Sequence, residues 1–270
     1  MLGAIIGDIV GSIYEFNNIK TKDFEFIGDT NYYTDDTVMT LAVCEMLQKG
    51  YINDKDKIID TFKKWGQAYP HAGYGGSFFL WVLGSDREPY NSCGNGSAMR
   101  VSACGWYGNT EKEVIDFAAR VTAVTHNHPE GIRGAIVTAL CVYYARKGKS
   151  KEFIRKYVEN EYPIIKTLDY EELRRTYMHE KEICQTTVPQ AIYCFLISDS
   201  FEDTIRTTIS IGGDCDTTAA ISGAIAEAFY KNDISDTLIK KVKEILPIAK
   251  NGCNAIEILN KFLEYKKHII

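Results

Sequence analysis

The chain has 270 residues, 45% of them hydrophobic and 25% charged, with a formal net charge of −5. That length buries a substantial core without disulfide or metal staples, and neither sign of charge gathers in long blocks, which excludes a dedicated nucleic-acid or anionic-membrane surface. The eight cysteines form no C-x-x-C pair and no zinc-finger spacing, so they read as reduced thiols of a cytoplasmic protein.

In chain order, the first segment, MLGAIIGDIVGSIYEF, is apolar, lacks a basic leader and is interrupted by Asp8. That argues against a signal peptide, and no apolar run approaches the ~20 residues of a membrane-spanning helix. Residues 24–34 are the best strand candidate and read equally well as a loop. Residues 37–50 carry Leu41, Cys44 and Leu47 on one helical stripe and stop at Gly50. Further helices are expected over 55–69, 111–126, 130–150, 151–162, 187–198, 201–211, 217–230, 234–245 and 254–265. The segment 130–150 is apolar nearly all round, so it reads as a central helix. Residues 168–182 are the most polar stretch and read as a surface excursion. No linker, repeat or low-complexity segment divides the chain, so a single all-α domain over 1–270 is expected, self-sufficient as a monomer.

Glycine collects in HAGYGGSF (71–78), CGNGSAMR (93–100) and IGGDCD (211–216). Three such loops beside polar clusters point to a ligand-binding role, because glycine lets backbone amides approach a ligand closely. Two acidic clusters stand out. YTDDTVMT (33–40) and GGDCDTT (212–218) each place two carboxylates and threonines just ahead of a helix. N-capping explains one acid at each helix start. It does not explain Asp35 beside Asp36, or Asp214 one residue from Asp216. If the two ends converge, four carboxylates repel one another unless a hard divalent cation neutralises them. Carboxylate and hydroxyl oxygens suit Mg²⁺, Mn²⁺ or Ca²⁺ rather than zinc. From spacing alone, capping and metal binding stand as even alternatives.

The set GAIIGDIVGSIYEF, YTDDTVMT, GNGSAMRVSACGW, THNHPEGIRGA and IGGDCDTTAAISGAIAEAFY, in that order from residue 3 to about residue 230, resembles the ADP-ribosylglycohydrolase family. The resemblance implies a compact orthogonal multi-helix bundle around a binuclear Mg²⁺ centre, with Mn²⁺ as the alternative ion. Position by position, it implies metal ligation by Thr34, Asp35, Asp36, Asp214, Asp216 and Thr217. Cys215 stands where the family often has serine, and its side chain is expected to point away from the metals. Asp36 and Glu15 are implied near the reacting bond, Asp36 as the residue that takes a proton from water. Asn95, Gly96, Ser97 and Met99 are implied to hold diphosphate and ribose, Tyr74, Gly75 and Gly76 to border the cleft, and His126 to lie near the phosphates or adenosine.

The reaction so implied is hydrolysis of the C1″ glycosidic bond of an ADP-ribosyl conjugate on a protein or small molecule. The charge development is that of glycoside cleavage, and the favoured acceptor is arginine. O-linked serine conjugates and small esters are the alternatives within the family. A catalytically silent relative and a metal-dependent phosphohydrolase are the alternatives outside that activity. His128 reads as a helix-entry residue before Pro129, and Trp65, Trp81 and Trp106 as core. Arg100 and Arg133 could pair with phosphate or with a buried carboxylate, and the structural role is favoured for both. Cys93 borders a loop without sign of an activated thiolate, and no serine has a nucleophile-elbow context.

Overall fold

The computed structural model describes residues 1–178, 182–231 and 233–269. Among them the chain is helical, with α1 Leu2–Gly11, α2 Asp35–Gln48, α3 Lys55–Ala68, α4 Gly76–Leu83, α5 Gly96–Met99, α6 Ser102–Tyr107, α7 Glu111–Ala123 and α8 Pro129–Arg146. There follow α9 Lys151–Glu161, α10 Tyr170–Thr176, α11 Cys184–Ile197, α12 Phe201–Ser210, α13 Cys215–Tyr230, α14 Asp236–Ile245 and α15 Ala255–Ile269. Two isolated bridges, Gly94 with Ile183 and Lys250 with Cys253, are the only β pairings among the described residues.

The amphipathic helices start where capping chemistry places them. Thr110, Ser150, Ser200 and Ser235 each accept an amide hydrogen from the first turn of α7, α9, α12 and α14. His128 does the same for α8, with Pro129 at its first position. Of the two readings of residues 24–34 the loop holds, and the polar stretch 168–182 is a surface excursion over its described residues, as expected. Residues 24–34 form no strand. They run as irregular chain pinned by Asn31, whose amide nitrogen donates to Ile9 O at 2.8 Å and whose oxygen accepts from Gly28 N at 2.8 Å. The segments 71–78 and 93–100 are not purely loops, because α4 starts at Gly76 and α5 at Gly96. The polar stretch 168–182 contains α10 and exposes much of its surface; its residues 179–181 lie outside the described residues.

The helix read as central, α8, packs directly against α13, which together with α1 is the most deeply buried. Every residue of α13 from Cys215 to Ala228 is buried, and α1, α8, α11 and α12 surround it. The closest partner is α1. Gly3, Gly7 and Gly11 recur every four residues and so share one helix face. A Cβ on Gly7 would lie 2.1 Å from Ala219 O, and one on Gly11 would lie 2.5 Å from Asp216 Cα. Only hydrogen fits, so the two backbones approach as near as helices can. At the far end of this pair, buried Glu227 accepts from Gly3 N at 2.8 Å, the Met1 amino group at 2.7 Å and Lys266 Nζ at 2.9 Å. That joins α1, α13 and α15.

Candidate functional site

The α1–α13 contact delivers Asp8 and Asp216 to the same point, beside the first turn of α2. Asp8 is fully buried in an otherwise apolar helix. Its carboxylate accepts from Thr34 N at 3.0 Å, Thr34 Oγ1 at 2.7 Å and Thr37 N at 3.0 Å. Thr34 Oγ1 in turn accepts from Asp36 N at 3.3 Å. The start of α2 is therefore capped by Thr34 and, from another helix, by Asp8. Asp35 and Asp36 are released from capping. Asp36 Oδ2 accepts from Thr217 Oγ1 at 2.9 Å, while its buried Oδ1 has no hydrogen-bond partner.

On α13 the carboxylates are likewise not ordinary caps. Asp214 occupies the cap position without a side-chain bond to the helix. Its Oδ2 accepts from Asn95 Nδ2 at 2.6 Å. Asp216 Oδ1 accepts from Thr217 N at 2.9 Å. Gly212 and Gly213, both at φ +75°, turn the chain into this position in a left-handed conformation that glycine adopts without strain. Asn18 locks the turn: its Oδ1 accepts from Gly213 N at 2.7 Å, and its Nδ2 donates to Glu15 O and Gly213 O, each at 2.9 Å. The Glu15 segment is thus fastened to the loop that carries Asp214 and Asp216.

Two sets of carboxylates converge. Oxygens of Asp8, Asp36 and Asp216 lie within 4.8 Å of one another, and so do oxygens of Glu15, Asp214 and Asp216. Asp216 belongs to both sets, and either set could hold a cation. The electrostatics show the strain of this arrangement without a cation. Burial pushes the Asp8 carboxyl up to about 6, against the opposing effect of the Thr34 and Thr37 bonds. Burial, then Asp8 and Asp35, hold Asp36 well above the usual carboxylate range. Burial, then Asp214 and Asp36, do the same to Asp216. Hard oxygen donors, a buried unpartnered carboxylate oxygen and mutual repulsion together fit a divalent cation such as Mg²⁺ or Mn²⁺.

All of these carboxylates except Asp8 form part of the wall of a cavity of about 460 Å³. Thr34, Asp35, Asp36, Asp214, Asp216, Thr217 and Glu15 all line it, as do Gly75, Gly76, Asn95, Gly96, Met99 and His126. Asp35 is not a member of either convergent set. Tyr74 and Ser97 are not among the lining residues. The Tyr74 ring packs on Phe78 and Phe79, and the buried Ser97 hydroxyl donates to Gly131 O at 2.9 Å. Both therefore support the wall from behind. Cys215 is buried and points toward Ile209 O, away from the carboxylates.

The sequence reading gave no site role to Asp8, Asn18, Tyr32 or Tyr90, and weighed phosphate pairing for Arg100 only as the lesser alternative to a structural role. A lone acid within an apolar helix was the available signal for Asp8, since carboxylates are almost never fully buried without partners. Of the residues read as structural, Arg133 pairs with Glu130 at 3.0 Å, and Trp65, Trp81 and Trp106 are core. Arg100 is buried too, but it lines the cavity.

The family model described as ADP-ribosylglycohydrolase matches residues 1–266. The chain is 30% identical to ADP-ribosylhydrolase ARH3 of Mus musculus, over 85% of this chain and 82% of that one. It is 24% identical to the ADP-ribosyl-[dinitrogen reductase] glycohydrolase of Rhodospirillum rubrum, over 86% and 84% of the two chains. A solved chain from an "ADP-ribosylglycohydrolase-related protein complex" superposes with a TM-score of 0.68 at 21% identity, covering 100% of this chain and 96% of that one. At that identity the likeness concerns the fold. No helix among the described residues is long and apolar enough to cross a membrane.

Proposed function

The chain belongs to the ADP-ribosylglycohydrolase family, and we propose that its cavity hydrolyses the C1″ glycosidic bond of ADP-ribosyl-arginine on protein, releasing ADP-ribose. The observation that carries this reading is the pair of carboxylate sets sharing Asp216 in the wall of a glycine-bordered cavity. In this reading Asp36, Asp214, Asp216 and Thr217, with Thr34 and Asp35, hold two Mg²⁺ ions, or Mn²⁺ as the alternative. When bound, the ions supply positive charge that neutralises the carboxylates and orients ribose hydroxyls and a water.

The remaining chemistry belongs to the chain. Asp36 is the base that takes a proton from the attacking water. Its Oδ2 is held by Thr217, and its Oδ1 is left open by the capping that Thr34 and Asp8 perform instead. Glu15, fastened by Asn18 through its backbone, stands in the same cavity to orient the scissile bond or move a proton. Asn95 fixes the Asp214 carboxylate while its own backbone belongs to the turn that borders the ligand. Gly75, Gly76, Gly96 and Met99 shape the wall, with Tyr74 and Ser97 supporting it. Glu15 and Glu182 also line the cavity; arginine is favoured as acceptor by the family resemblance, with O-linked serine conjugates and small esters as the alternatives.

A panel of ADP-ribosylated arginine, serine and ester substrates, each with Mg²⁺ or chelator and with products identified by mass, tests this function. Release of intact ADP-ribose, fastest from arginine and only with the metal, is expected. Faster release from serine or ester conjugates would reassign the acceptor. AMP as the product would indicate a phosphohydrolase, and silence on every substrate a non-catalytic relative.

A further inference from the structure

In the cavity wall stands a buried arginine without an acid in contact with it. Arg100 is 1% exposed, and no carboxylate lies within ion-pair distance of it among the described residues. Its Nη2 donates to Val121 O at 3.1 Å and to Thr125 Oγ1 at 2.8 Å. The guanidinium lies over the Phe62 ring, 4.4 Å from its centroid, and its Nε has no hydrogen-bond partner. Burial lowers its pKa only to about 10, so it stays charged at neutral pH. A buried cation without a fixed counter-charge is costly. Asp35, in the wall of the same cavity, acts on Arg100 only from beyond ion-pair distance, which leaves room for a negative charge that enters with a ligand.

Thr125 connects this cation to the ligand loop. Its hydroxyl lies 2.8 Å from His126 Nδ1. Arginine only donates, so Thr125 Oγ1 accepts on the Arg100 side. The adjacent positive charge favours the hydroxyl hydrogen, rather than a ring N–H, between Thr125 and His126, leaving the lone pair on Nδ1. The ring itself is neutral, because burial and then the Arg100 charge hold its pKa well below the ordinary value. A neutral ring with a lone pair on Nδ1 carries its proton on Nε2. That nitrogen faces the turn from Gly94 to Gly96: a Cβ on Gly96 would lie 3.3 Å from it and one on Gly94 3.5 Å.

We propose that Arg100, acting through Thr125, is a positioning residue that fixes His126 as its Nε2–H tautomer and aims that N–H at an anionic oxygen of the ligand in the Gly94–Gly96 turn. The anion is a phosphate oxygen of the diphosphate, which rests on the function proposed above. Arg100 supplies the buried counter-charge for it. A neutral donor backed by a cation suits a phosphate already carrying full negative charge, with no proton to compete for.

Two measurements test this. Multiple-bond ¹H–¹⁵N correlation spectra of the ligand-free protein report which His126 nitrogen is protonated. Wild type should show Nε2–H, Thr125→Val should lose that preference, and Thr125→Ser should restore it. An Nδ1–H ring in wild type overturns the relay without reference to any variant. Calorimetric titration with ADP-ribose, ADP and adenosine, in Mg²⁺, then reads the ligand. Thr125→Val should bind ADP-ribose and ADP roughly tenfold or more weakly, the worth of a hydrogen bond to a charged group, with Thr125→Ser near wild type and adenosine unaffected. Equal weakening for adenosine, or none for ADP, overturns the phosphate assignment. If wild type binds neither ADP-ribose nor ADP, the proposed function fails, and the His126 spectrum still decides the relay.

Discussion

Asp8 illustrates how one carboxylate shapes a site through the backbone of another helix. By taking the Thr34 and Thr37 amides and the Thr34 hydroxyl, it performs the capping that would otherwise occupy Asp35 or Asp36. Asp8→Asn keeps the shape and loses an acceptor pair and a charge. It should weaken Mg²⁺ binding roughly 10–100-fold, the usual effect of removing a group that orients metal ligands. Calorimetry measures this, and an unchanged affinity would remove Asp8 from the site. Asp35, Asp36, Asp214 and Asp216 stand out in the sequence because two carboxylates at one helix start exceed what capping needs; of these, Asp36, Asp214 and Asp216 converge and Asp35 joins neither set. Asp8 was not legible, because its partners lie 26 and 29 residues away and its neighbours are apolar. Tyr74 and Ser97 belong to the right segments but not to the cavity lining. Helical phase within a glycine-rich segment is invisible until the helix start is known, and α4 and α5 begin within those segments.

At the scale of elements, the site depends on how closely α1 lies against α13. Gly7→Ala gains up to ~1 kcal/mol of helix propensity, but places a methyl 2.1 Å from a backbone oxygen that cannot move away. The clash dominates. A net loss of about 1–3 kcal/mol is expected, read as a lower urea midpoint at unchanged m-value; an unchanged or higher midpoint would show that the helices have room. The long amphipathic helices, α2, α3, α7, α8, α9 and α11 to α15, follow from apolar period and caps within a few residues. The helix α1 is not among the elements expected from the sequence, where residues 1–16 read only as an apolar segment interrupted by Asp8; its glycines find their use in packing against the α13 backbone. Residues 24–34 show the converse. Alternating aromatics gave them a strand-like pattern, but no neighbouring strand exists among the described residues to pair with, and Asn31 supplies the backbone bonds instead.

At the scale of the whole molecule, two buried acidic groups respond to pH with opposite sign. Asp8, Asp36 and Asp216 have folded pKa values above their unfolded ones. Without metal their contribution to stability is therefore greatest at low pH and is lost as pH rises through about 6 and beyond. A divalent ion displaces those protons, so Mg²⁺ should raise the melting temperature more at pH 8 than at pH 6. An equal rise at both pH values would separate the ion from these carboxylates. Glu227 behaves oppositely. Burial alone would raise its pKa, but Lys266, the Met1 amino group and Gly3 N together bring it down to about 2. Its contribution is present above the unfolded value near 4.5 and fades as pH falls toward 2. Glu227→Gln should therefore destabilise clearly at pH 7 and by progressively less on acid titration, as followed by urea midpoints. Because one core cluster runs from Met1 to Phe262, residues 1–270 are proposed to form one domain. Fluorescence and far-ultraviolet circular dichroism should then report a single coincident unfolding transition.

The most direct measurement is the release of ADP-ribose from an ADP-ribosylated arginine substrate by wild type and Asp36→Asn, each with Mg²⁺ and with chelator. Metal-dependent release by wild type, reduced by at least about 10²-fold in Asp36→Asn and by chelation, is the predicted result. Full release by Asp36→Asn, or by wild type stripped of metal, would contradict the assignment of the paired carboxylates as the reaction centre.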